Sequence, residues 1–495
     1  MGRKSYGVML AAMSALLASP AFAQTQLVVE AQLPAAPAKA APARLGSLYP
    51  SGVSEAGGNE LEKSLGPAGY ILDDVGQSEA FRDEIRRAVG IHPVFHKEVS
   101  ALSQARAEAR AERAALYPRL SANLSGDYIL SRTFDPNTDN VVESLKPERQ
   151  LNAGVSLSQL IFDGGATFAR IKGAKANARA EQQSISSRIN ELALKALSAY
   201  HDLATHQALL RVGEDYIRQH ERLLDDVKER NRLGAGSYAD VMQASARLAA
   251  ARARVSQIRE SMRLAEVRYE EFFKEEPGLL VRPSFEAVAV GSRAEAEALA
   301  IKNNPEIAAA QALSDSATAN YKAEKASRLP ELRANVNAVK YNLFENSDDY
   351  DVRAGINMNY DIFAGGSRGA RIKSAAEAAR QQRFDEERVR EEIERDAAIA
   401  YEQHAASNER LSELADAVIA NYKARDLVAQ RFRASRGDLI DILQAENDYF
   451  EAAMSYLAGL ADRDMATYAL MEHTGDLLRY FSPQPADAEG GARDE

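Results

Sequence analysis

The feature that most constrains this chain is a strand-to-helix junction that occurs twice. In residues 352–366, VRAGINMNYDIFAGG, Val352, Ala354, Ile356, Met358, Tyr360 and Ile362 fall on one face. Arg353, Gly355, Asn357, Asn359 and Asp361 fall on the other. This period of two reads as a β-strand with one apolar and one polar face. It stops at Gly365-Gly366 and gives way to a long, charged, Ala-rich helical pattern. Residues 153–165, AGVSLSQLIFDGG, make the same transition 201 positions earlier, with Phe162-Asp163-Gly164-Gly165 matching Phe363-Ala364-Gly365-Gly366. The same offset pairs Arg170-Ile171-Lys172 with Arg371-Ile372-Lys373, Tyr200 with Tyr401, Asp240 with Asp441 and Gln243-Ala244 with Gln444-Ala445. One offset held over this distance marks an internal duplication.

Upstream of the junction the offset is 212: His92-Pro93 matches Asn304-Pro305, and Tyr117-Pro118 matches Leu329-Pro330. The 11-residue difference places an insertion between Pro118 and Ala153, in the polar segment TFDPNTDNVVESLKPE. That segment reads as a longer hairpin loop in the first copy. Each copy holds two alternating segments: 120–130 and 151–162, then 332–341 and the 352–366 stretch.

Between these hairpins the pattern is helical. Residues 166–232 and 367–434 contain no proline, and at ~1.5 Å per residue each spans on the order of 100 Å. A helix of that length cannot bury itself in a compact domain and needs neighbours along it, as in a coiled coil or helical barrel. Leu233-Gly234-Ala235-Gly236 and Ser435-Arg436-Gly437 read as turns into shorter helices, about 238–274 and 439–473. Leading helices, 78–116 with a break at Pro93 and 293–328, precede the strands. The two shorter helices of a copy together match the long one, so they can stack end to end beside it.

The ends differ in character. Arg3 and Lys4, an apolar run over 8–18 and Ala21-Phe22-Ala23 form a secretory signal peptide, 1–23, cut before Gln24. Residues 24–77 are rich in Ala, Pro and Gly and read as a flexible extension; 475–495 read as a disordered acidic tail. The two channel-like repeats are 78–290, with its hairpin at 119–163, and 291–474, with its hairpin at 331–363. The chain contains no cysteine, which excludes disulfides, thiolate metal sites, a cysteine nucleophile and a lipid anchor on cysteine. Its net charge of −11 becomes −13 without residues 1–23, whose only charged side chains are Arg3 and Lys4; this argues against nucleic acid as a partner.

Four amphipathic strands of about ten residues suit an outer membrane, which takes ~9–11 tilted residues per strand. No globular segment is available to cover their apolar faces. Four strands cannot close a barrel, since the smallest membrane barrels have ~8, so the chain must oligomerise. Two copies would give eight strands and a filled lumen; three would give twelve and a channel. No metal or cofactor site is expected: Pro93 separates His92 from His96, and His201 and His206 do not share a helical face. The DGG and AGG glycines lack a phosphate-cradling motif, and no nucleophile turn is present. The chain does not read as an enzyme.

The ordered set of these features, occurring twice over about 78–475, resembles the TolC-like outer-membrane efflux proteins. It comprises the Asn304-Pro305 helix start, the Leu329-Pro330 junction, FDGG and FAGG, and the segments LGAGSYADVMQA and SRGDLIDILQA. The resemblance implies an α+β membrane protein: a homotrimeric 12-stranded outer-membrane β-barrel continued by a periplasmic α-helical barrel. It also implies a passive duct, in contact with outer-membrane lipid, that docks to a periplasmic adaptor (membrane fusion) protein and an inner-membrane ABC or other pump. The turns at Leu233, Gly234 and Gly236 and at Ser435 and Gly437 would be the adaptor-docking surface. Asp441 falls on an aspartate that rings the periplasmic pore entrance in family members; the neighbouring acidic position is Gln444. Asp240 falls on a member of the polar links that hold the tips closed. Its tyrosine partner position is Phe432 and its arginine position Gly437, so the closed-state lock is either missing here or re-formed by Arg436 or Arg433. The expected cargo is protein, through type I secretion, on the likeness of RGDLIDILQAENDYFEA; small-molecule drug or metal efflux is the alternative. A soluble periplasmic coiled-coil protein, structural or adaptor-like, is the rival of another class.

Overall fold

A computed structural model describes residues 55–72, 78–133, 148–283, 290–343, 349–434 and 436–481. The chain divides into Met1–Arg44, outside those residues, and Leu45–Glu495, which holds all of them. The signal peptide, most of the insertion loop and Ser435 also lie outside the described residues.

The elements appear in duplicate. A first helix, α1 (Glu55–Leu65), runs into a 3₁₀ segment (Gly66–Leu72). The first repeat is α2 (Ser78–Ile91), α3 (Pro93–Ala114), β1 (Arg119–Tyr128), β2 (Arg149–Phe162), α4 (Ala166–Arg232) and α5 (Tyr238–Phe273). The second is α6 (Arg293–Asn303), α7 (Pro305–Ala326), β3 (Glu331–Lys340), β4 (Tyr350–Asn359), α8 (Ser367–Arg433) and α9 (Leu439–His473), closed by α10 (Leu477–Phe481). Helices α4 and α8 are both 67 residues long, and α3 and α7 are both 22.

The shared local chemistry is visible at each boundary. Pro93 and Pro305 open α3 and α7, where a missing N–H costs nothing. His92 Nδ1 accepts the Val94 N–H at 3.3 Å, and Asn304 Oδ1 accepts the Glu306 N–H at 2.9 Å. At the strand-to-helix turns Gly164 and Gly165 have φ of 69° and 86°, and Gly365 and Gly366 have 57° and 81°. Only glycine enters that left-handed region without strain.

The strands form one antiparallel sheet in the order β1-β2-β3-β4, so the two repeats join at β2–β3. Its register aligns apolar with apolar across both repeats: Leu120, Leu157, Val336 and Ala354 form one row, and Ala122, Val155, Ala338 and Val352 the next. The intervening row is Ser121, Ser156, Asn337 and Arg353, with Ser121 and Ser156 hydroxyls 2.7 Å apart. β4 stops at Asn359, short of the expected Ile362, because its partner β3 begins at Glu331 and Pro330 has no N–H to extend the ladder.

Beside the sheet, α4 packs against α5 and against α3 and α7; α8 packs against α9 and against α6 and α7. The shorter helices therefore share the length of the long ones, as their combined length requires. The repeats meet where α9 and α7 lie on α4.

Two expectations are corrected. The extension 24–77 is not flexible over its described part: Leu61, Leu65, Ala68 and Ile71 are buried in a core shared with α4, α5, α8 and α9. Their 4-3-3 spacing is helical, and the apolar face it makes is docked rather than free. The tail 475–495 is likewise ordered at its start, where Leu477 and Phe481 enter the core around Phe81, Tyr200 and Tyr468; its remainder from 482 lies outside the described residues.

Candidate functional site

Two surfaces of the chain stand out. The first is the sheet. Leu120, Leu124, Tyr128, Val155, Val336, Tyr350, Val352, Ile356 and Met358 are exposed, several beyond 60%. Nothing among the described residues covers this face, and contiguous apolar area of this kind marks contact with a membrane or another protein. Strands β1 and β4 each pair on one side only. No helix among the described residues is long and apolar enough to cross a membrane.

The second surface is the pair of turns at the far ends of α4 and α8. The turns are built alike: Ala235 N–H donates to Arg230 O at 2.8 Å, and 201 residues on Arg436 N–H donates to Arg431 O at 2.9 Å. Gly234 takes φ of 75°, and Leu233 beside it is exposed. Gly236 and Gly437 sit at equivalent places against Arg230 and Arg431, where a Cβ would be 3.4 Å from the preceding helix. Four helices meet here in a small core: Leu223, Leu224 and Val227 of α4, Ala244 and Leu248 of α5, Phe432 of α8, and Leu439, Ile442 and Leu443 of α9.

The aligned aspartates have different surroundings. Asp240 closes a capping box at the start of α5: its carboxylate accepts the Ser237 N–H and the Ser237 hydroxyl accepts the Asp240 N–H, both at 3.1 Å. Asp441 stands at the same position of α9, but Asp438 replaces Ser237 and caps nothing with its side chain. Asp441 is exposed, and so are Gln444 and Asp448 on the same face; Gln444 donates to Asp448 at 2.7 Å. These three line a cleft between α8 and α9 with Asn421, Ala424 and Arg431. Arg433 and Arg436 are exposed, and among the described residues neither forms an ion pair with Asp240. Sequence reasoning did not single out Arg230, which makes the tie between the two turns. Its guanidinium donates to Phe432 O at 2.7 Å and lies 4.2 Å from the Phe432 ring centroid. The signal was available: at the 201-residue offset Arg230 matches Arg431, but Phe432 stands opposite Asn231, an aromatic in only one of two otherwise matching turns.

Further up the helices a buried charge cluster holds the repeats together. Asp464 of α9, fully buried, accepts from Arg282 at 2.5 and 2.8 Å and from Arg463 at 2.9 Å. Burial works against its charge, but the two guanidiniums hold its carboxyl down at about 2. His201 lies against it and is pushed down to about 4, by burial first. Nearer the tips, Glu446 is buried, and desolvation outweighs Arg425 and pushes its carboxyl up to about 7.

The comparisons with known proteins agree with this geometry. The family model for outer membrane efflux proteins matches residues 91–270 and 298–476, once per repeat. The outer membrane efflux protein BepC of Brucella suis biovar 1 (strain 1330) is 24% identical over 355 residues, covering 71% of this chain and 76% of the relative. Protein CyaE of Bordetella pertussis (strain Tohama I / ATCC BAA-589 / NCTC 13251) is 26% identical over 425 residues, covering 83% and 86%. The crystal structure of the Campylobacter jejuni CmeC outer membrane channel has the same fold, with a TM-score of 0.71 at 11% identity over 84% of this chain and 89% of that one. The chain belongs to the outer membrane efflux protein family: it is an outer-membrane channel of a tripartite export system, with its helices in the periplasm, and not an enzyme.

Proposed function

We propose that three copies of this chain close a 12-stranded barrel in the outer membrane, continued by a periplasmic helical barrel, and that this homotrimer is a passive exit duct. The observation that carries the reading is the bare four-stranded sheet with two open edges. In hydrocarbon each unpaired backbone group costs several kcal/mol, so β4 of one copy must find β1 of the next. Three copies leave a water-filled lumen lined by the row of Ser121, Ser156, Asn337 and Arg353.

At the other end, Leu233, Gly234, Gly236, Ser435 and Gly437 dock the periplasmic adaptor, and an inner-membrane pump supplies the energy. Threefold symmetry gathers Asp441 with Gln444 and Asp448 into a cation-attracting mouth. Asp240, Arg433 and Arg436 serve the tip gate, and Arg230 on Phe432 carries the cross-repeat contact of the resting state. The cargo is protein in type I secretion, on the RGDLIDILQAENDYFEA segment. Small-molecule efflux is the second reading, favoured by the name of the Brucella relative as an efflux protein.

The test is the particle mass by light scattering after extraction of separated membranes with mild detergent. A trimer from the outer-membrane fraction is expected; a monomer or dimer there would overturn the closure argument. Co-purification then separates the cargo readings: an ABC pump is expected, and a proton-driven pump alone would favour small molecules.

A further inference from the structure

We propose that residues 60–72 are a brace that ties the coiled coil α4/α5 to the coiled coil α8/α9 and sets the pivot about which the tips open. The proposal rests on the duct reading above. The segment lies outside the duplication, so the fold of the two repeats does not require it. Yet it is seated on both. Helix α1 packs on α8, and the 3₁₀ segment packs on α4. Leu61, Leu65, Ala68 and Ile71 are buried in one core with Val212 of α4, Ile258 of α5, Val418 of α8 and Phe450 of α9. An apolar face shared with all four helices resists their separation, because parting them would return that face to water.

Polar contacts fix the seat. Tyr449 of α9 donates its hydroxyl to Ser64 O at 2.8 Å, a buried bond. Lys423 of α8 pairs with Glu60. The Arg211 guanidinium of α4 lies 4.2 Å from the Tyr70 ring centroid. The brace is itself stiff: a Cβ on Gly69 would stand 2.7 Å from Glu62 O, so the 3₁₀ segment is folded hard against α1. Its anchors are oblique. Lys423 is 11 residues from Ala434, and Arg211 is 22 residues from Leu233, or about 16 and 33 Å of helix at ~1.5 Å per residue. The helix lengths beyond the brace are thus free to swing, held in the resting state by the tip core and by Arg230 on Phe432.

The experiment is single-pore conductance of the full-length protein in planar bilayers. The double variant Leu61→Asp/Leu65→Asp unseats the brace; Lys423→Glu weakens it at an exposed pair; Glu60→Lys/Lys423→Glu restores the pair with reversed charges. We expect conductance at least twofold above the parent for the double Asp variant, and a smaller rise for Lys423→Glu that the charge swap cancels. Where the double Asp variant fails to assemble, the Lys423 pair decides. Parental conductance in every assembled variant, or a rise with Lys423→Glu that the swap does not reverse, would overturn the brace. A parent that forms no pores would sink the duct reading itself, and the brace with it.

Discussion

The strand register makes a sharp prediction about which residues meet lipid. Val336 is the sixth residue of the ten in β3, in the row with Leu120, Leu157 and Ala354. Ten residues at ~3.3 Å, tilted by ~40°, rise about 25 Å, which is the height of the apolar band of an outer-membrane barrel. In the proposed barrel Val336 therefore sits within a few ångströms of the midplane. An arginine there costs ~2–4 kcal/mol per chain, and the proposed trimer would carry the cost three times. Asn337 follows it in the chain but lies in the row with Ser121, Ser156 and Arg353, where an arginine meets water and other polar groups. The assay is the amount of assembled protein in the outer-membrane fraction, with heat-resistant oligomer measured on gels. Val336→Arg should deplete it strongly and Asn337→Arg should leave it near the parental level. Equal tolerance of both would refute the facing of the sheet; equal depletion would mean that the polar row is packed against protein rather than open to a lumen.

Three further outcomes rest on single contacts. Arg230→Ala removes a charged hydrogen bond and a stacked guanidinium, contacts worth about 1.5–3 kcal/mol and ~0.5–2 kcal/mol; bilayer conductance should rise, and an unchanged value would remove Arg230 from the gate. Asp464→Ala strands Arg282 and Arg463 in the core and should cost about 3–5 kcal/mol, read as a large fall in the urea midpoint. Glu446 gives a pH signature. Its folded value of about 7 stands above the ordinary 4.5, so folding carries no penalty below about pH 4.5 and loses stability as pH rises through 7. The difference of ~2.5 units at ~1.4 kcal/mol each comes to about 3.5 kcal/mol per chain above pH 8. Glu446→Gln should raise the melting temperature at pH 8 and leave it unchanged at pH 4.5; an equal effect at both would show that the charge is not the cause.

What could be read from the residues was whatever a local rule forces. The paired glycines at 164–165 and 365–366 are legible because left-handed backbone demands them, and Pro93 and Pro305 because a first helical turn tolerates them. Period two and unbroken helical runs gave the strands and the long helices, and from these the open sheet and the outer membrane; family membership removes the soluble coiled-coil rival. Non-local facts were not legible. That β2 pairs with β3 is a long-range choice between hairpins of equal pattern. The packed segment before residue 73 was hidden because Gly66, Pro67 and Gly69 resemble linker composition, although Leu61, Leu65, Ala68 and Ile71 carried the helical spacing.

The duplication also explains why matched residues need not share a role. Asp240 and Asp441 occupy the same position of α5 and α9, three residues into the helix counted from the cap. In the first copy the cap is Ser237, neutral, with a hydroxyl that can both donate and accept, so Asp240 folds back and its carboxylate is used by the chain's own backbone. In the second copy the cap is Asp438. A second carboxylate beside the first repels it; Asp438 makes no side-chain cap bond and Asp441 is exposed. One difference, three residues away, separates an aspartate that caps the start of its helix from one left exposed, as the proposed pore-mouth role of Asp441 requires. Replacing Asp438 with Ser should recapture Asp441 into a capping box, stabilise the start of α9 by about 0.5–1 kcal/mol and weaken cation selectivity in bilayers. Selectivity unchanged by that substitution would mean that Asp441 does not set the charge of the mouth.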